Sequence, residues 1–452
     1  MPSSSTPPPP VTVKQAFWYW LKLGFISFGG PAGQIAIMHH DLVEQKRWLS
    51  ERRFLHALNY CMVLPGPEAQ QLATYIGWLM HRTWGGVMAG VLFILPSLVL
   101  LIGLAWVYLR FGHVPAIAAG LYGIKPAVTA IVVFAAYRIG ARALKNGLMW
   151  VLAALAFLAI FAVNLPFPLI VLMAALVGLV GSRFAPQKFA VGGGHGNAKQ
   201  HYGAALIDDD TPTPDHARFR WQGLLKVTLV CLVLWAGVLG YLCWHSGWQG
   251  LYTQMAWFFT KAALLTFGGA YAVLPYVYQG AVEHYHWLSA TQMIDGLALG
   301  ESTPGPLIMV VTFVGFLGGW QSLPLGADGA FMTAVGAALT VTYFTFLPSF
   351  LFILAGGPVV ESTHGKLQFT APLSAITAAV VGVIVNLAVF FAWNTFWPEG
   401  LVGAIDGVAV LIACAALLAL FRYKVGVIPV IVAAAGVGVV LMWIKPWLAV
   451  IA

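Results

Sequence analysis

Residues 18–67 read WYWLKLGFISFGGPAGQIAIMHHDLVEQKRWLSERRFLHALNYCMVLPGP, and residues 257–306 read WFFTKAALLTFGGAYAVLPYVYQGAVEHYHWLSATQMIDGLALGESTPGP. Laid side by side without gaps, they share Trp18 with Trp257, Lys22 with Lys261, and Phe28-Gly29-Gly30 with Phe267-Gly268-Gly269. Glu44 meets Glu283, Trp48-Leu49-Ser50 meets Trp287-Leu288-Ser289, and Pro65-Gly66-Pro67 meets Pro304-Gly305-Pro306. Tripeptides kept in order mark an internal duplication. Further on, Leu95-Pro96-Ser97 matches Leu347-Pro348-Ser349, and AVTA (127–130) matches AITA (375–378). The chain therefore reads as two homologous halves, 14–181 and 221–452. A disordered, partly polyproline tail covers 1–13. The stretch 182–220 carries GGGHGN, Asp208-Asp209-Asp210 and TPTP. It holds too little apolar content to order itself and reads as a solvated linker.

Of the 452 residues, 60% are hydrophobic and only 8% charged, where a soluble domain carries about 25% charged residues. That excludes a soluble enzyme, a disordered protein and a disulfide scaffold. It fits an all-α polytopic membrane protein of about a dozen crossings, each needing about 20 apolar residues. Continuous apolar windows lie at 84–110, 114–137, 147–163, 166–181, 222–246, 327–356, 366–395, 401–421 and 425–450. The regions 14–82 and 253–320 differ. Gly-Gly and Pro-Gly-Pro cut them into pieces of roughly 12–18 residues, too short to span alone. Half-helices and re-entrant hairpins are expected there, at matching places in the two halves, and that pattern points to a transport site. Cys61, Cys231, Cys243 and Cys414 are scattered, with no metal spacing, and read as small core residues. The N-terminus lacks a basic n-region, so no cleaved signal peptide is expected.

The net charge is +8, with twelve Lys/Arg against four Asp/Glu in 1–180 and six against seven in 221–452. The basic residues sit at ends of apolar segments, which sets membrane orientation and argues against nucleic acid. Lys46, Arg47, Arg52 and Arg53 align with Tyr285, His286, Thr291 and Gln292. Arg138, Arg142 and Lys145 align with Asn386, Phe390 and Trp393. Loss of the whole basic set predicts that the halves sit upside down relative to each other, with an odd number of crossings per half or an extra helix between them.

At Phe28-Gly29-Gly30-Pro31-Ala32-Gly33-Gln34 the glycines free the backbone and the proline suits a first helical turn, so a helix starts with open N–H groups. Gly268-Gly269 does the same in the second half. At Pro65-Gly66-Pro67 and Pro304-Gly305-Pro306 two prolines stop one helix and another begins, its positive end suited to an anion. Gln34, Gln70 and Gln71 add amide donors; Ser302 and Thr303 add hydroxyls. Lys22 and Lys261 either bind an anion or snorkel to an interface. Glu68 and Glu301 flank the two loops but are not equivalent, since their partners are Leu307 and Met62; with His39 they are candidates for proton coupling. His39 and His40 alternatively form an interfacial pair. Ser50 and Ser289 read as N-caps.

No P-loop, GxSxG, HExxH or paired acidic cluster is present, so neither an enzyme nor an ATP-driven pump is expected, and no cofactor or metal is called for. The motifs in FGGPAGQIAIMHHDLVEQKRWLSERRFLHALNYCMVLPGPEAQQLATYIGWLMH (28–81) and TFGGAYAVLPYVYQGAVEHYHWLSATQMIDGLALGESTPGPLIMVVTFVG (266–315) resemble the chromate ion transporter family. The resemblance covers all but the tail and the linker, whose length departs from typical members. It implies a multi-pass protein of the bacterial inner membrane that exports chromate and confers chromate resistance, with sulfate, isosteric with chromate, as a competitor or second substrate. Alternating access would run through a site between inverted halves. An anion channel or another oxyanion exchanger is the alternative. Energy coupling stays open between uniport, proton coupling and exchange, and the oligomer stays open, a homodimer being one option.

Overall fold

The structure, a computed structural model, describes residues 8–184, 186–189, 202–322, 329–363, 370–400 and 403–451. The described chain is helical apart from one isolated backbone bridge between Leu49 and Ile207. The first half contributes α1 (Val13–Ile26), α2 (Gly30–His39), a π turn (His40–Gln45), α3 (Glu51–Val63), α4 (Glu68–Phe111), α5 (Pro115–Ala143), α6 (Gly147–Phe161) and α7 (Phe167–Phe184). Next come the short α8 (Pro186–Phe189) and the long α9 (Trp221–Ser246). The series then repeats as α10 (Leu251–Leu264), α11 (Ala270–Tyr278), a π turn (Gln279–His284) and α12 (Ala290–Ser302). A 3-10 turn (Leu307–Met309) leads into α13 (Val310–Ser322), followed by α14 (Ala330–Thr363), α15 (Thr370–Phe396), α16 (Gly407–Phe421) and α17 (Val427–Ile451).

Even the π turns recur at equivalent positions. Helix α4 bends at His81–Arg82, where Arg82 takes φ +57°, at the place where the second half separates α13 from α14. The duplication is therefore structural as well as sequential, and α9 stands between the halves without a counterpart. Local chemistry explains several starts. Ser50 and Ser289 cap α3 and α12 by accepting from the N–H groups of Arg53 and Gln292, as their place before each helix predicts. Thr12 and Gln15 form a capping box at α1.

Among the described residues six helices are long and apolar enough to cross a membrane: α4, α5, α7, α9, α14 and α15; four apolar helices are shorter. The sequence count of about a dozen crossings thus exceeds the full-length spans among the described residues. Helices α1–α3 and α10–α12 are 9 to 14 residues long. At 1.5 Å per residue these fall short of a core about 30 Å thick, so they are half-helices, as the broken sequence predicts.

The halves interlock. Helices α6 and α7 pack on α15 of the other half, and α16 and α17 pack on α5, the counterpart of α15. Helices α5 and α17 nearly touch: a Cβ built on Gly123 falls 2.1 Å from the Ala434 carbonyl oxygen, and one on Gly438 falls 2.1 Å from that of Ala119. Small residues at such spacing let membrane helices approach this closely. The core lies around the broken segments, and every residue of 310–319 in α13 is buried. Helix α9 is the opposite, its Leu225, Leu229 and Val233 standing exposed in a band suited to lipid.

The expectation of a solvated linker differs from what the described part shows. The N–H groups of Leu206 and Ile207 donate to the carbonyls of Arg47 and Trp48 at 2.9 and 3.0 Å, and Ser50 N–H donates to Ile207. Asp209 accepts from the Ser50 hydroxyl, and Arg53 donates to the carbonyls of Asp208 and Thr211. His216 Nε2 lies 3.0 Å from the Trp78 carbonyl, and Ala217 is buried. Hydrogen bonds to the first half order 202–220 where apolar content does not. The GGGHGN stretch and the first seven residues lie outside the described residues.

Candidate functional site

Each Pro-Gly-Pro loop docks on the broken helix of the opposite half. Gly66 N–H donates to the Thr266 carbonyl at 2.7 Å, and Gly305 N–H donates to the Ser27 carbonyl at 2.8 Å. Gly66 and Gly305 are equivalent positions, and so are Ser27 and Thr266. The contact is thus reciprocal, the signature of a pseudo-twofold axis. Each loop also meets the Leu-Pro-Ser segment of the other half. A Cβ on Gly66 would fall 2.5 Å from Ser349 Oγ, and one on Gly305 would fall 2.8 Å from Ser97 Cβ. Both glycines carry positive φ, +128° and +103°, so conformation and crowding each require glycine.

Polar side chains that the sequence singled out gather here, all buried. Gln34 Nε2 donates to the Gly305 carbonyl at 2.6 Å and to that of Ser27 at 3.3 Å. Gln71 Nε2 donates to the Pro65 carbonyl at 2.7 Å and lies 3.5 Å from Ser349 Oγ. Gln70 Nε2 donates to Thr74 Oγ1. Ser27 Oγ, Ser97 Oγ and the Oε1 atoms of Gln34, Gln70 and Gln71 are buried with no partner among the described residues. Orphaned buried polar atoms are costly and call for a ligand or water. The glutamines belong to the first half alone, since Val273, Met309 and Val310 replace them. The pseudo-symmetric frame therefore holds an asymmetric lining.

The helices that start at the breaks have open N-termini. No side chain caps α2, α4, α11 or the 3-10 turn before α13, whose N-caps are Gly29, Pro67, Gly269 and Pro306. Helices α5, α9 and α10 are uncapped as well, whereas side chains close α1, α3, α6, α12 and α16. At Gly30 and Gly269 an added Cβ would meet no atom of the described residues within 4 Å, so the space immediately beside these two ends is open. Gly268 lies near Thr377, in the AITA segment.

Ser302 Oγ donates to the Leu299 carbonyl, and Thr303 Oγ1 to those of Leu299 and Gly300, so both hydroxyl protons turn back onto α12. Lys22 is exposed on α1. Lys261 lies 5.8 Å from the Trp257 ring centre in a cation–π contact. Tyr271 donates its hydroxyl to Glu301. Arg142 and Arg138, one turn apart on α5, lie within electrostatic range of Glu68 and Glu301 respectively. His39 pairs with Glu51 at 2.5 Å and Glu44 at 3.1 Å, beside His40, which also meets Glu44. This cluster belongs to the basic face rather than to the loops. Among the described residues no three His, Cys, Asp or Glu converge to hold a metal ion.

Two polar clusters that sequence reasoning missed tie the halves together. Arg53 of α3 meets Glu361 near the end of α14 at 2.8 Å, and Tyr75 donates to the same carboxylate at 2.5 Å. Asp295 of α12 accepts from Tyr108 near the end of α4 at 2.9 Å, with Lys125 at 3.8 Å. In each case the α3-type helix of one half grips the far end of the long helix of the other. Different residues do it, so sequence matching passes over them. Ser97 and Ser349 stand in a recurring tripeptide, and that recurrence was the signal available for them.

Comparison with known proteins agrees with this geometry. The chain matches the chromate transporter profile over residues 14–179 and 253–439, one match in each half. It is 31% identical to a chromate transport protein of Cupriavidus metallidurans, over 94% of this chain and 92% of that protein. It is 32% identical to a chromate transport protein of Pseudomonas aeruginosa, over 94% and 92%. It is 29% identical to a probable chromate transport protein of Synechococcus elongatus, over 88% and 89%. No solved structure matches. The family is one of transporters, not enzymes, and both duplicated halves of this polytopic helical protein match its profile: the chain belongs to the chromate transporter family.

Proposed function

We propose that the protein exports chromate across the bacterial inner membrane by alternating access, and so confers chromate resistance. The observation that carries this reading is the reciprocal docking of Gly66 on Thr266 and of Gly305 on Ser27. It brings two uncapped helix starts from each half to one region, together with the hydroxyls of Ser27 and Ser97, which have no partner among the described residues. A tetrahedral dianion has four acceptor oxygens, and each helix N-terminus contributes about 0.3–1 kcal/mol when exposed and up to about 2 when partly buried. In this reading Gln34, Gln70 and Gln71 shape the first-half wall, and the Gly-Gly corners admit the oxyanion. Lys22 and Lys261 draw anions towards it. Glu68 and Glu301, each within electrostatic range of an arginine, are the groups available to carry a proton.

The halves are inverted in this proposal. Helix α9 has no counterpart, and where each half crosses an even number of times, one further crossing between them turns the second upside down. The positive-inside rule puts the Arg47, Arg52 and Arg53 face in the cytoplasm. The membrane potential then favours outward movement of the dianion by about 2.3 kcal/mol per charge per 100 mV.

The test is chromate flux in proteoliposomes at clamped potential, with and without a pH gradient, and with sulfate on the opposite side. Voltage-driven flux at transporter rates supports uniport by alternating access. A requirement for protons or for sulfate assigns the coupling. Flux at channel rates, or sulfate flux without chromate flux, overturns the reading.

A further inference from the structure

Away from the loops, α9 leaves a cavity of about 650 Å³ between itself, α4, α14 and the end of the linker. Its walls are apolar: Val87 and Val91 of α4, Phe350 and Leu354 of α14, and Val227 and Val230 of α9. Its chemistry changes at one end, where Arg218, Arg220 and Lys226 line it beside Asp215 and His216. Asp215 pairs with Arg218 at 3.4 Å. Arg220 and Lys226 make no ion pair among the described residues and are exposed. Trp221, also exposed, stands next to them at the start of α9, where an aromatic ring marks the membrane–water boundary. The preceding segment is bonded to Arg47, Trp48 and Arg53. The cationic end therefore lies on the basic face of the first half, the cytoplasmic side under the positive-inside rule.

We propose that this cavity is a binding site for an anionic phospholipid of the cytoplasmic leaflet. The phosphate rests on Arg220 and Lys226, with Arg218 shared with Asp215, and an acyl chain lies along the apolar walls. Charge decides the occupant. A zwitterionic lipid would satisfy the apolar part equally, but its ammonium offsets its phosphate and leaves the two cations without net compensation, whereas basic pockets between membrane helices select anionic headgroups. Because α9 connects the halves, a lipid wedged behind it fastens this helix to α4 and α14, one long helix of each half. The inference rests on the chain being a membrane protein and is independent of its substrate.

Native mass spectrometry of the full chain in detergent, supplemented with phosphatidylglycerol or phosphatidylcholine, tests it. Wild-type protein is expected to retain phosphatidylglycerol in preference. The double variant Arg220→Gln/Lys226→Gln should lose about five-fold in phosphatidylglycerol affinity per charge removed, about 25-fold in all, with phosphatidylcholine unchanged. Arg220→Lys/Lys226→Arg should keep the binding, and Val91→Trp, which fills the apolar part, should weaken both lipids. A monodisperse gel-filtration peak checks that each variant is folded. Equal retention of the two lipids by wild type overturns the proposal. So does full phosphatidylglycerol binding by the double variant, or displacement of the lipid by millimolar inorganic phosphate.

Discussion

Gly66 gives its N–H to Thr266, and the equivalent Gly305 gives its own to Ser27. Both glycines hold a backbone conformation that a side chain resists, and both press against a serine of the opposite half. Gly66→Ala and Gly305→Ala must therefore open the interface between loop and helix. The strain is on the order of 1–3 kcal/mol, which corresponds to about 5- to 150-fold in an equilibrium. Chromate flux per molecule in proteoliposomes should fall within that range for either variant, while the amount of protein in the membrane, read by immunoblot, stays within twofold. Wild-type flux from both would show that the loops are not the substrate's cradle.

Ser97 separates a binding role from a structural one. Its hydroxyl is buried and has no partner among the described residues, so Ser97→Ala removes no hydrogen bond seen there and should leave the melting temperature unchanged or slightly raised. If the hydroxyl meets the anion, a charge-assisted bond worth about 1.5 kcal/mol disappears, and the KM for chromate should rise about tenfold. An unchanged KM would remove Ser97 from the site.

The Arg53–Glu361 pair closes one end of the contact between the halves. Glu361 is 3% exposed, and removing its charge leaves a partly buried guanidinium uncompensated, at a cost of about 3–5 kcal/mol to the closed arrangement. Cys61, wholly buried on α3, is a native reporter. In a background where Cys231, Cys243 and Cys414 are serine, Glu361→Gln should raise the rate of maleimide labelling at Cys61 at least tenfold. An unchanged rate would mean that this pair does not gate access from its end.

Linker docking should weaken in mild acid. Burial against Trp78 holds the His216 imidazole below its ordinary value of 6.5, and Arg82 adds to the effect. A histidine with a lowered folded pKa binds fewer protons folded than unfolded, so stability rises with pH in that window. Docking is complete above about 6.5 and is lost progressively as pH falls from 6.5 towards the lowered value. Limited proteolysis within 202–220 should be slow at pH 7.5 and faster at pH 5.5. His216→Gln should abolish the difference between the two pH values; a pH-independent wild type would show that His216 does not hold the segment.

Much of this architecture is legible in the sequence because repeats and helix breakers act locally. Phe-Gly-Gly and Pro-Gly-Pro mark where helices stop, and Ser50 and Ser289 mark where they start, whatever surrounds them. What lies against each break is not legible, since self-comparison shows which residues are equivalent and not which ones touch. Hence Ser97 served only as a marker of the repeat, although it faces Gly305. The linker misled for another reason: Asp208 and Asp209 look like solvating charges, yet the Asp209 carboxylate accepts from Ser50 and that of Asp208 from the N–H groups of Ala205 and Asp209. The clusters around Glu361 and Asp295 escaped because each half uses its own residues for the same grip.

The exchange of α6–α7 and α16–α17 between the halves bears on how the protein is made. Helix α5 enters the bilayer early in synthesis, but the helices that cover it, α16 and α17, emerge from the ribosome only after ten further helices. Until then a stripe of small residues around Ala119 and Gly123 faces lipid instead of its partner. Maturation is thus a late closing step that follows insertion of the whole chain. A protein cut short before α16 would leave the first half unfinished too, although every residue of that half is present.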